Sequence, residues 1–264
     1  MAFTKLEKVS AWRRVSVGMW GVPDNSTTQG VREVDLSLTL PYLEKLRAET
    51  GRKVTLTHLF VAALGRTLKA HPHYNVILRR SRPYQRDTVD IFVQVALKSA
   101  DGQADLSGVK LRNCDTASLV DIADQVAKRA GKVRAGKDKD IESQKSLLQY
   151  VPAMLTRPLI RTLTSLSFDW GVDMRKMGIK PDPFGSAMVT NVGGFGIPHA
   201  LVPLLPTSRV PMLICLGMVH DRAVVRDGKV VARPMLLMTG SFDHRLFDGF
   251  QIAKITIMVD EIVS

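Results

Sequence analysis

Thr239-Gly240-Ser241-Phe242-Asp243-His244-Arg245-Leu246-Phe247-Asp248-Gly249 is the stretch that decides the fold of this chain. It follows an apolar run at 235–238 and precedes an amphipathic segment at 250–263, a pattern that predicts a buried strand, a turn and a helix. Charged groups at the edge of a core are costly unless they are paired or used in chemistry. Two interpretations follow from the turn alone: a salt-bridged strand end with Asp248 capping the helix, or a reactive histidine.

A second distinctive stretch, Val189-Thr190-Asn191-Val192-Gly193-Gly194-Phe195-Gly196, lies upstream. The first stretch resembles the His-x-x-x-Asp-Gly signature of the dihydrolipoyl acyltransferases, the core components of 2-oxoacid dehydrogenase complexes. The second is similar to that family's Ser/Thr-Asn-x-Gly-Gly turn. The two motifs occur in the family's order and at close to its usual separation. The family shares fold and signature with chloramphenicol acetyltransferase, but the fuller Asp-His-Arg-x-x-Asp-Gly form is closer to the dehydrogenase-complex branch.

The resemblance covers roughly 30–135 and 183–264, and it implies a chloramphenicol acetyltransferase-like fold. In that fold a mixed β-sheet is covered by helices, and each active site lies between two subunits of a trimer. The mixture of predicted strands and helices independently favours an α+β domain. The 264 residues suffice for one substantial core, so 1–264 are interpreted as a single catalytic domain.

The resemblance implies acyl transfer between coenzyme A and a thiol acceptor such as dihydrolipoamide. His244 is the candidate general base, since an imidazole can take a thiol proton near neutral pH. Thr190 is the candidate donor to the oxyanion, although an ordinary β-branched strand residue would fit its position as well. Asp248 matches the signature acid, either as catalytic support or as a structural ion pair and helix cap.

Further residues of the two motifs are predicted to shape the site. Asn191, Gly193 and Gly194 are expected to form the loop that carries Thr190. Asp243 and Arg245 are expected to fix the histidine turn by pairing, and Gly249 to allow close chain approach at the helix start. Ser241 completes the predicted set as a site-shaping residue of the strand.

Two alternatives to the thiol acyltransferase remain open. One is a coenzyme-A-dependent acyltransferase that acts on a small alcohol or amine, and the other is a non-enzymatic trimeric assembly protein. The sequence shows no lipoyl module, Ala/Pro-rich linker or partner-binding domain, which favours a free-standing relative. The expected partners are a homotrimer or a multiple of trimers, acyl-coenzyme A, and a lipoyl domain supplied by another chain.

Net charge, cysteine and histidine spacing, and hydropathy exclude several classes of function. The formal net charge is +12, but no nucleic-acid motif or basic stripe with interleaved aromatic residues accompanies it, so a solvated basic surface is favoured. Cys114 and Cys215 lack metal-site spacing, and His71-Pro72-His73 lacks a third ligand, so no metal or covalently bound cofactor is predicted. The absence of a secretory signal or a long apolar run indicates a cytoplasmic protein.

Residue patterns also predict several elements outside the two motifs. Residues 1–30 form an N-terminal arm, Thr39 caps a helix over 41–50, and Thr116 caps a later long helix. Residues 141–180 are an insertion relative to the family, with an apolar helical stripe that Pro152 and Pro158 break into short helices. A helical hairpin packed on protein is the preferred interpretation of this insertion; a cover over the acyl pocket or a membrane-touching element is the alternative.

Overall fold

A computed structural model describes residues 26–98, 104–134, 153–177, 179 and 181–264 of the chain. Most of the predicted arm at 1–30 and the first part of the predicted insertion at 141–180 therefore lie outside the described residues. Among the described residues, no helix combines the length and the apolarity needed to cross a bilayer.

The strands of the described chain form a mixed sheet and a separate hairpin. In chain order they are β1 (Thr27–Asp35), β2 (Val76–Arg79), β3 (Arg82–Gln85), β4 (Ile91–Lys98), β5 (Ala104–Leu111), β6 (Ala187–Asn191), β7 (Met212–Leu216), β8 (His220–Arg226) and β9 (Lys229–Asp243). β2 and β3 pair only with each other, and the other seven strands form one sheet in the order β1-β9-β7-β6-β4-β5, with β8 paired to β9. β6 runs parallel to β4 and β7, and the remaining pairs are antiparallel.

Four helices of the described chain cover one face of this sheet, and the mixture of strands and helices confirms the predicted α+β class. They are α1 (Thr39–Thr50), α2 (Leu56–Ala70), α3 (Leu119–Arg134) and α5 (Gly249–Val263), whereas α4 (Ala153–Thr164) contributes no described side chain to the main core. Alternate residues of β6 and β7, such as Val189 and Ile214, join Phe60, Ile122 and Ile255 of the helices in the main core. Each such fully buried side chain stabilises the fold by about 1.5–3 kcal/mol.

The opposite face of the sheet carries a second, smaller core. Met188, Leu213 and Cys215 alternate with the residues of the main core and pack against Ala200, Val202 and Leu204. Strand periodicity places Thr190 on this second face, two residues after Met188. The predicted oxyanion donor therefore lies on the side of the sheet away from the helices of the main core.

One edge of the sheet gathers the elements around His244. Phe242 of β9 pairs with Met212 at the start of β7, and the Asp243 amide donates to the Pro211 carbonyl at 2.9 Å. Because β6 runs parallel to β7, the N-terminal ends of both strands lie at this edge beside the C-terminal end of β9. We call it the His244 edge.

The ends of the helices follow local rules except where tertiary contacts take over. Gly51 ends α1 with a left-handed φ of 63°, as expected of a helix-terminating glycine. Thr39 as N-cap is wrong, because its hydroxyl instead donates to the Val263 carbonyl at the end of α5, and Leu38 precedes α1. Thr116 as N-cap is also wrong, since the Ser118 hydroxyl accepts from the Asp121 amide at 3.1 Å.

The start of α2 depends on a buried histidine. The Nδ1 atom of His58 accepts the Thr55 amide at 3.2 Å, completing a reciprocal cap between the two residues. Burial lowers the pKa of His58 to about 4. The ring is therefore neutral at physiological pH, as an acceptor nitrogen in this cap requires.

The described part of the insertion packs on its own chain. α4 leads into a π turn at Ser165–Asp169, and Phe168 of this turn is buried. The predicted helix break at Pro158 is wrong: Pro158 lies inside α4, which continues to Thr164. An interior proline removes one backbone donor and crowds the preceding turn, and α4 is continuous despite this cost.

Candidate active site

His244 stands exposed at the end of β9, on a turn that is anchored from both sides. Phe242 before it and Phe247 after it are fully buried, and their rings meet edge to face with centroids 6.2 Å apart. The His244 amide donates to the Ser26 carbonyl at 2.7 Å, and the Phe247 amide donates to the Asp243 carbonyl at 3.0 Å. The apolar anchors and these bonds fix the backbone while leaving the imidazole open to a substrate.

The predicted pairing of Asp243 with Arg245 is confirmed. Their charged groups lie 2.6 Å apart, and the Ser26 hydroxyl donates to the same carboxylate at 3.0 Å. Burial by itself raises the pKa of Asp243, but the hydrogen bonds from Arg245 and Ser26 outweigh it and leave the pKa below its usual value. The pair therefore stays ionised at neutral pH and holds the turn.

Asp248 serves as the N-cap of α5. Its carboxylate accepts the amides of Phe250 at 2.9 Å and Gln251 at 3.3 Å, and the Gln251 side chain accepts the Asp248 amide in return. This reciprocal cap agrees with the structural alternative for the signature acid, and the catalytic alternative stays open. A Cβ atom at Gly249 would meet no atom within 4 Å, so the described chain contains no close approach that requires this glycine.

The Thr190 side chain is buried, with 7% of its surface exposed. Two hydroxyls on the same sheet face are satisfied: Thr239 donates to the Ala200 carbonyl and Ser241 to the Val202 carbonyl, each at 2.6 Å. No described residue forms such a bond with the Thr190 hydroxyl. The Thr190 oxygen is not among the side-chain atoms that are both fully buried and unpaired, so it keeps some accessible surface and is available to a ligand. Ser241, predicted to shape the site, instead anchors the segment that covers this face.

The loop after Thr190 is held by Asn191. Its side chain accepts the Gly193 amide at 2.9 Å and donates to the Thr57 hydroxyl at 3.1 Å. A Cβ atom at Gly193 would come within 2.4 Å of the Gly217 carbonyl oxygen, so only glycine fits there, whereas Gly194 lies in open space. Asn191 and Gly193 thus have the loop-shaping role that was predicted for them.

Thr57 and Ser26 complete these two turns and were missed by sequence reasoning. Thr57 lies in the first turn of α2, far from Thr190 in the chain, and Ser26 lies in a turn-forming stretch before β1. Neither residue belongs to a motif. Only the tertiary fold brings them against Asn191 and Asp243, so the sequence contains no local signal for either.

Thr57→Val is expected to lower the free energy of unfolding by about 0.5–1.5 kcal/mol, the usual net contribution of one hydrogen bond. Valine keeps the shape but leaves the Asn191 amide without its acceptor. Thr57→Ser keeps a hydroxyl and should be close to wild type. Denaturant unfolding of the two variants tests the bond, and equal stabilities of Thr57→Val and the wild type would contradict it.

His244 and Thr190 do not meet within one chain. In the sheet register Thr190 lies opposite Cys215 of β7, which lies opposite Thr239 of β9. His244 follows Thr239 by five residues, about 16 Å along the strand, and two strand spacings add about 10 Å across the sheet. A reaction centre that uses both side chains therefore needs a second copy of the chain.

Metal ligation is not suggested by the described residues, which contain no group of three or more His, Cys, Asp or Glu side chains able to hold an ion. The rings of His71 and His73 lie 5.5 Å apart, next to Tyr74 rather than a third ligand. Cys114 and Cys215 are both buried and free, and burial raises the pKa of each thiol. These cysteines are inert members of the cores.

Comparison with known proteins places this arrangement in a family. The model of the 2-oxoacid dehydrogenase acyltransferase catalytic domain matches residues 23–148 and 174–264, leaving 149–173 unmatched. The chain is 25% identical over 222 residues to the dihydrolipoyllysine-residue acetyltransferase component of the pyruvate dehydrogenase complex of Bacillus subtilis, covering 82% of this chain and 40% of that protein. It is 24% identical over 236 residues to the corresponding succinyltransferase component of the mitochondrial 2-oxoglutarate dehydrogenase complex of Saccharomyces cerevisiae, covering 88% and 41%.

Solved structures show the same fold. A probable dihydrolipoamide acetyltransferase of Listeria monocytogenes superposes with a TM-score of 0.67 at 19% identity, covering 100% of this chain and 95% of that one. The dihydrolipoamide acetyltransferase of Azotobacter vinelandii gives 0.64 at 18%, covering 99% and 92%. The chain spans about 40% of the length of the two curated relatives above. The resemblance predicted from the two motifs is confirmed, and the chain belongs to the 2-oxoacid dehydrogenase acyltransferase family.

Proposed function

We propose that the protein transfers an acyl group between coenzyme A and the thiol of a dihydrolipoyl group, with His244 as general base. The observation that carries the proposal is the exposed His244 ring on a rigid turn, in a chain of this family. Both curated relatives are named as dihydrolipoyllysine-residue acyltransferases. The catalytic mechanism of the Azotobacter vinelandii enzyme has been studied at a serine, a histidine and an asparagine, and the asparagine follows the histidine by four residues. Thr190, His244 and Asp248 are the proposed counterparts.

The reaction begins with a thiol that is mostly protonated at neutral pH, because free thiols have a pKa of about 8.5. His244 takes the proton as the sulfur attacks the thioester carbonyl, so that a new carbon–sulfur bond forms and the carbonyl oxygen becomes an oxyanion. The Thr190 hydroxyl donates a hydrogen bond to that oxygen. The intermediate then breaks its original carbon–sulfur bond, and the departing thiolate recovers the proton from His244.

A homotrimer, or a multiple of trimers, is the proposed assembly. The distance between His244 and Thr190 within one chain supports a site to which two subunits contribute. A structure with the same fold, at a TM-score of 0.65, is the cubic core of a pyruvate dehydrogenase multienzyme complex. Coenzyme A enters this proposal as a substrate, and a protein-borne lipoyl group from another chain is the acceptor. The buried free cysteines suit the reducing cytoplasm.

The activity is tested by mixing the protein with acetyl- or succinyl-coenzyme A and dihydrolipoamide and following release of free coenzyme A together with the acylated product. We expect transfer with one of these donors, and no transfer in the same assay with His244→Ala. Transfer only to an alcohol or amine acceptor would replace this proposal with the small-acceptor alternative. A folded wild-type protein that transfers no acyl group in any combination would contradict enzymatic activity.

A further inference from the structure

The β2–β3 hairpin concentrates positive charge in an unfavourable arrangement. Arg79 and Arg82 are directly opposite each other in its register, and like charges in such a pair are destabilising. Arg80 and Ser81 form the turn with φ of 46° and 59°, a left-handed conformation that favours glycine or asparagine. A hairpin chosen for stability alone would avoid both features.

Part of the segment that the family model leaves unmatched is fastened to this hairpin. The Arg79 side chain donates to the Phe168 carbonyl at 2.5 Å, and the Arg80 amide donates to the Asp169 carboxylate at 3.1 Å. The guanidinium of Arg80 lies 4.3 Å from the centre of the Trp170 ring. That of Arg79 lies 5.4 Å from the centre of the Tyr84 ring. We call the surface formed by Arg79, Arg80, Arg82, Tyr84 and Trp170 the arginine–aromatic surface.

The positive charge of this surface is not neutralised by Asp169, because that carboxylate is already paired with other residues. Asp169 forms an ion pair with Arg209 at 2.8 Å and accepts the Ser165 hydroxyl at 3.0 Å. Burial alone raises the pKa of Asp169, but these bonds and that of the Arg80 amide leave it below its usual value. Within the described part of the chain, the guanidinium groups of Arg79, Arg80 and Arg82 form no ion pair with a carboxylate.

The arginine–aromatic surface is connected to the His244 edge through two chains of contacts. Arg209, which pairs with Asp169, is separated only by Val210 from Pro211, whose carbonyl accepts the Asp243 amide. At the other end of the hairpin, Tyr74 leads into β2, and its ring contacts that of Phe247 with centroids 6.2 Å apart. A domain bound to the surface would therefore rest on elements that contact the turn that carries His244.

The exposed shape of the surface suits a macromolecule. Trp170 is 66% exposed and Tyr84 46% exposed, whereas a small-molecule pocket buries most of its ligand. Arginine, tryptophan and tyrosine are the residue types that dominate binding energy in protein interfaces. We propose that the arginine–aromatic surface docks an acidic protein domain that presents the dihydrolipoyl thiol to His244, an inference that rests on the proposed acyl transfer.

The test compares two acceptors with the same reactive group: free dihydrolipoamide, and a lipoylated protein domain of net negative charge in its reduced form. The double variant Arg80→Gln, Arg82→Gln is expected to raise the KM for the domain at least about tenfold, with unchanged kcat and KM for free dihydrolipoamide. Arg79 is left in place because it holds the insertion. Arg66→Gln with Lys128→Gln removes two exposed charges from α2 and α3 and should change neither KM.

Direct binding of the same lipoylated domain, measured by titration, separates failure of docking from failure of the chemistry. The wild type should bind the domain, more weakly as salt rises, and Trp170→Ser and the double variant should both weaken that binding. Domain binding that neither variant changes would overturn the docking surface even if acyl transfer proceeds. A second result would also overturn the docking surface: the wild type binds phosphatidylglycerol vesicles, and the double variant loses vesicle binding but still binds the domain. Absence of transfer to either acceptor, with domain binding intact, would overturn the proposed function only.

Discussion

His244→Ala is expected to lower kcat by about 10²–10⁴, the range that a positioned general base contributes. Without the imidazole, the attacking thiol must lose its proton to water, and most of it stays protonated at neutral pH. The expected measurement is steady-state acyl transfer from acyl-coenzyme A to dihydrolipoamide at saturating substrates. KM should change little, because the proton transfer is made in the transition state and not on binding.

The substitution can be interpreted because His244 contributes little to the fold. Its side chain is exposed and forms no hydrogen bond or ion pair with any other described residue, so the variant should unfold at the wild-type denaturant concentration. His220→Ala provides a matched control, since His220 lies on β8, outside the proposed site, with its ring 3.2 Å from the Met218 carbonyl. Wild-type turnover in a folded His244→Ala protein would remove His244 from the catalytic role.

Local features of the sequence predicted a large part of this structure. Gly51 ends α1 and Asp248 begins α5, because caps depend on one side chain and the neighbouring backbone. The histidine turn also followed from the sequence, since Asp243 and Arg245 are only two residues apart.

The misses at Thr39 and Thr57 have tertiary causes. Thr39 was predicted to be an N-cap, but its hydroxyl donates to the Val263 carbonyl near the C-terminal end of the chain. Pro158 looked like a helix end, yet α4 continues through it. Thr57 has no local signal at all, because its contact with Asn191 joins residues 134 positions apart.

The distance between His244 and Thr190 is the most consequential feature that local patterns could not supply. Each motif predicts its own strand end or turn, but the separation depends on the insertion of β7 between β6 and β9 and on their relative directions. Strand order is a property of the whole chain. For this reason only the family resemblance predicted that two subunits share one site. The register supports that prediction independently, because it separates His244 from Thr190 within one subunit.

Thr190→Val is expected to lower kcat by about 10²–10³ with little change in KM, the effect of losing one oxyanion donor. Valine preserves the branched shape on β6, and no described residue loses a bond to the Thr190 hydroxyl, so the fold should be unaffected. Thr239→Val is the matched control on the same sheet face. It removes the bond to the Ala200 carbonyl and should cost about 1 kcal/mol of stability. A Thr190→Val protein with lower stability and normal turnover would reassign Thr190 as an ordinary strand residue.

The two inactive variants together test whether one site uses two subunits. In a mixed oligomer, a His244→Ala subunit still has Thr190 and a Thr190→Val subunit still has His244, so some interfaces between them contain both groups. Mixing the variants and allowing subunits to exchange should therefore restore part of the activity. If each chain worked alone, no recovery would follow, since every subunit of the mixture lacks one of the two groups. The register favours recovery, because the two side chains lie too far apart for one subunit to supply both. An active, strictly monomeric species in light scattering would contradict the shared site, as would complete subunit exchange without any recovery.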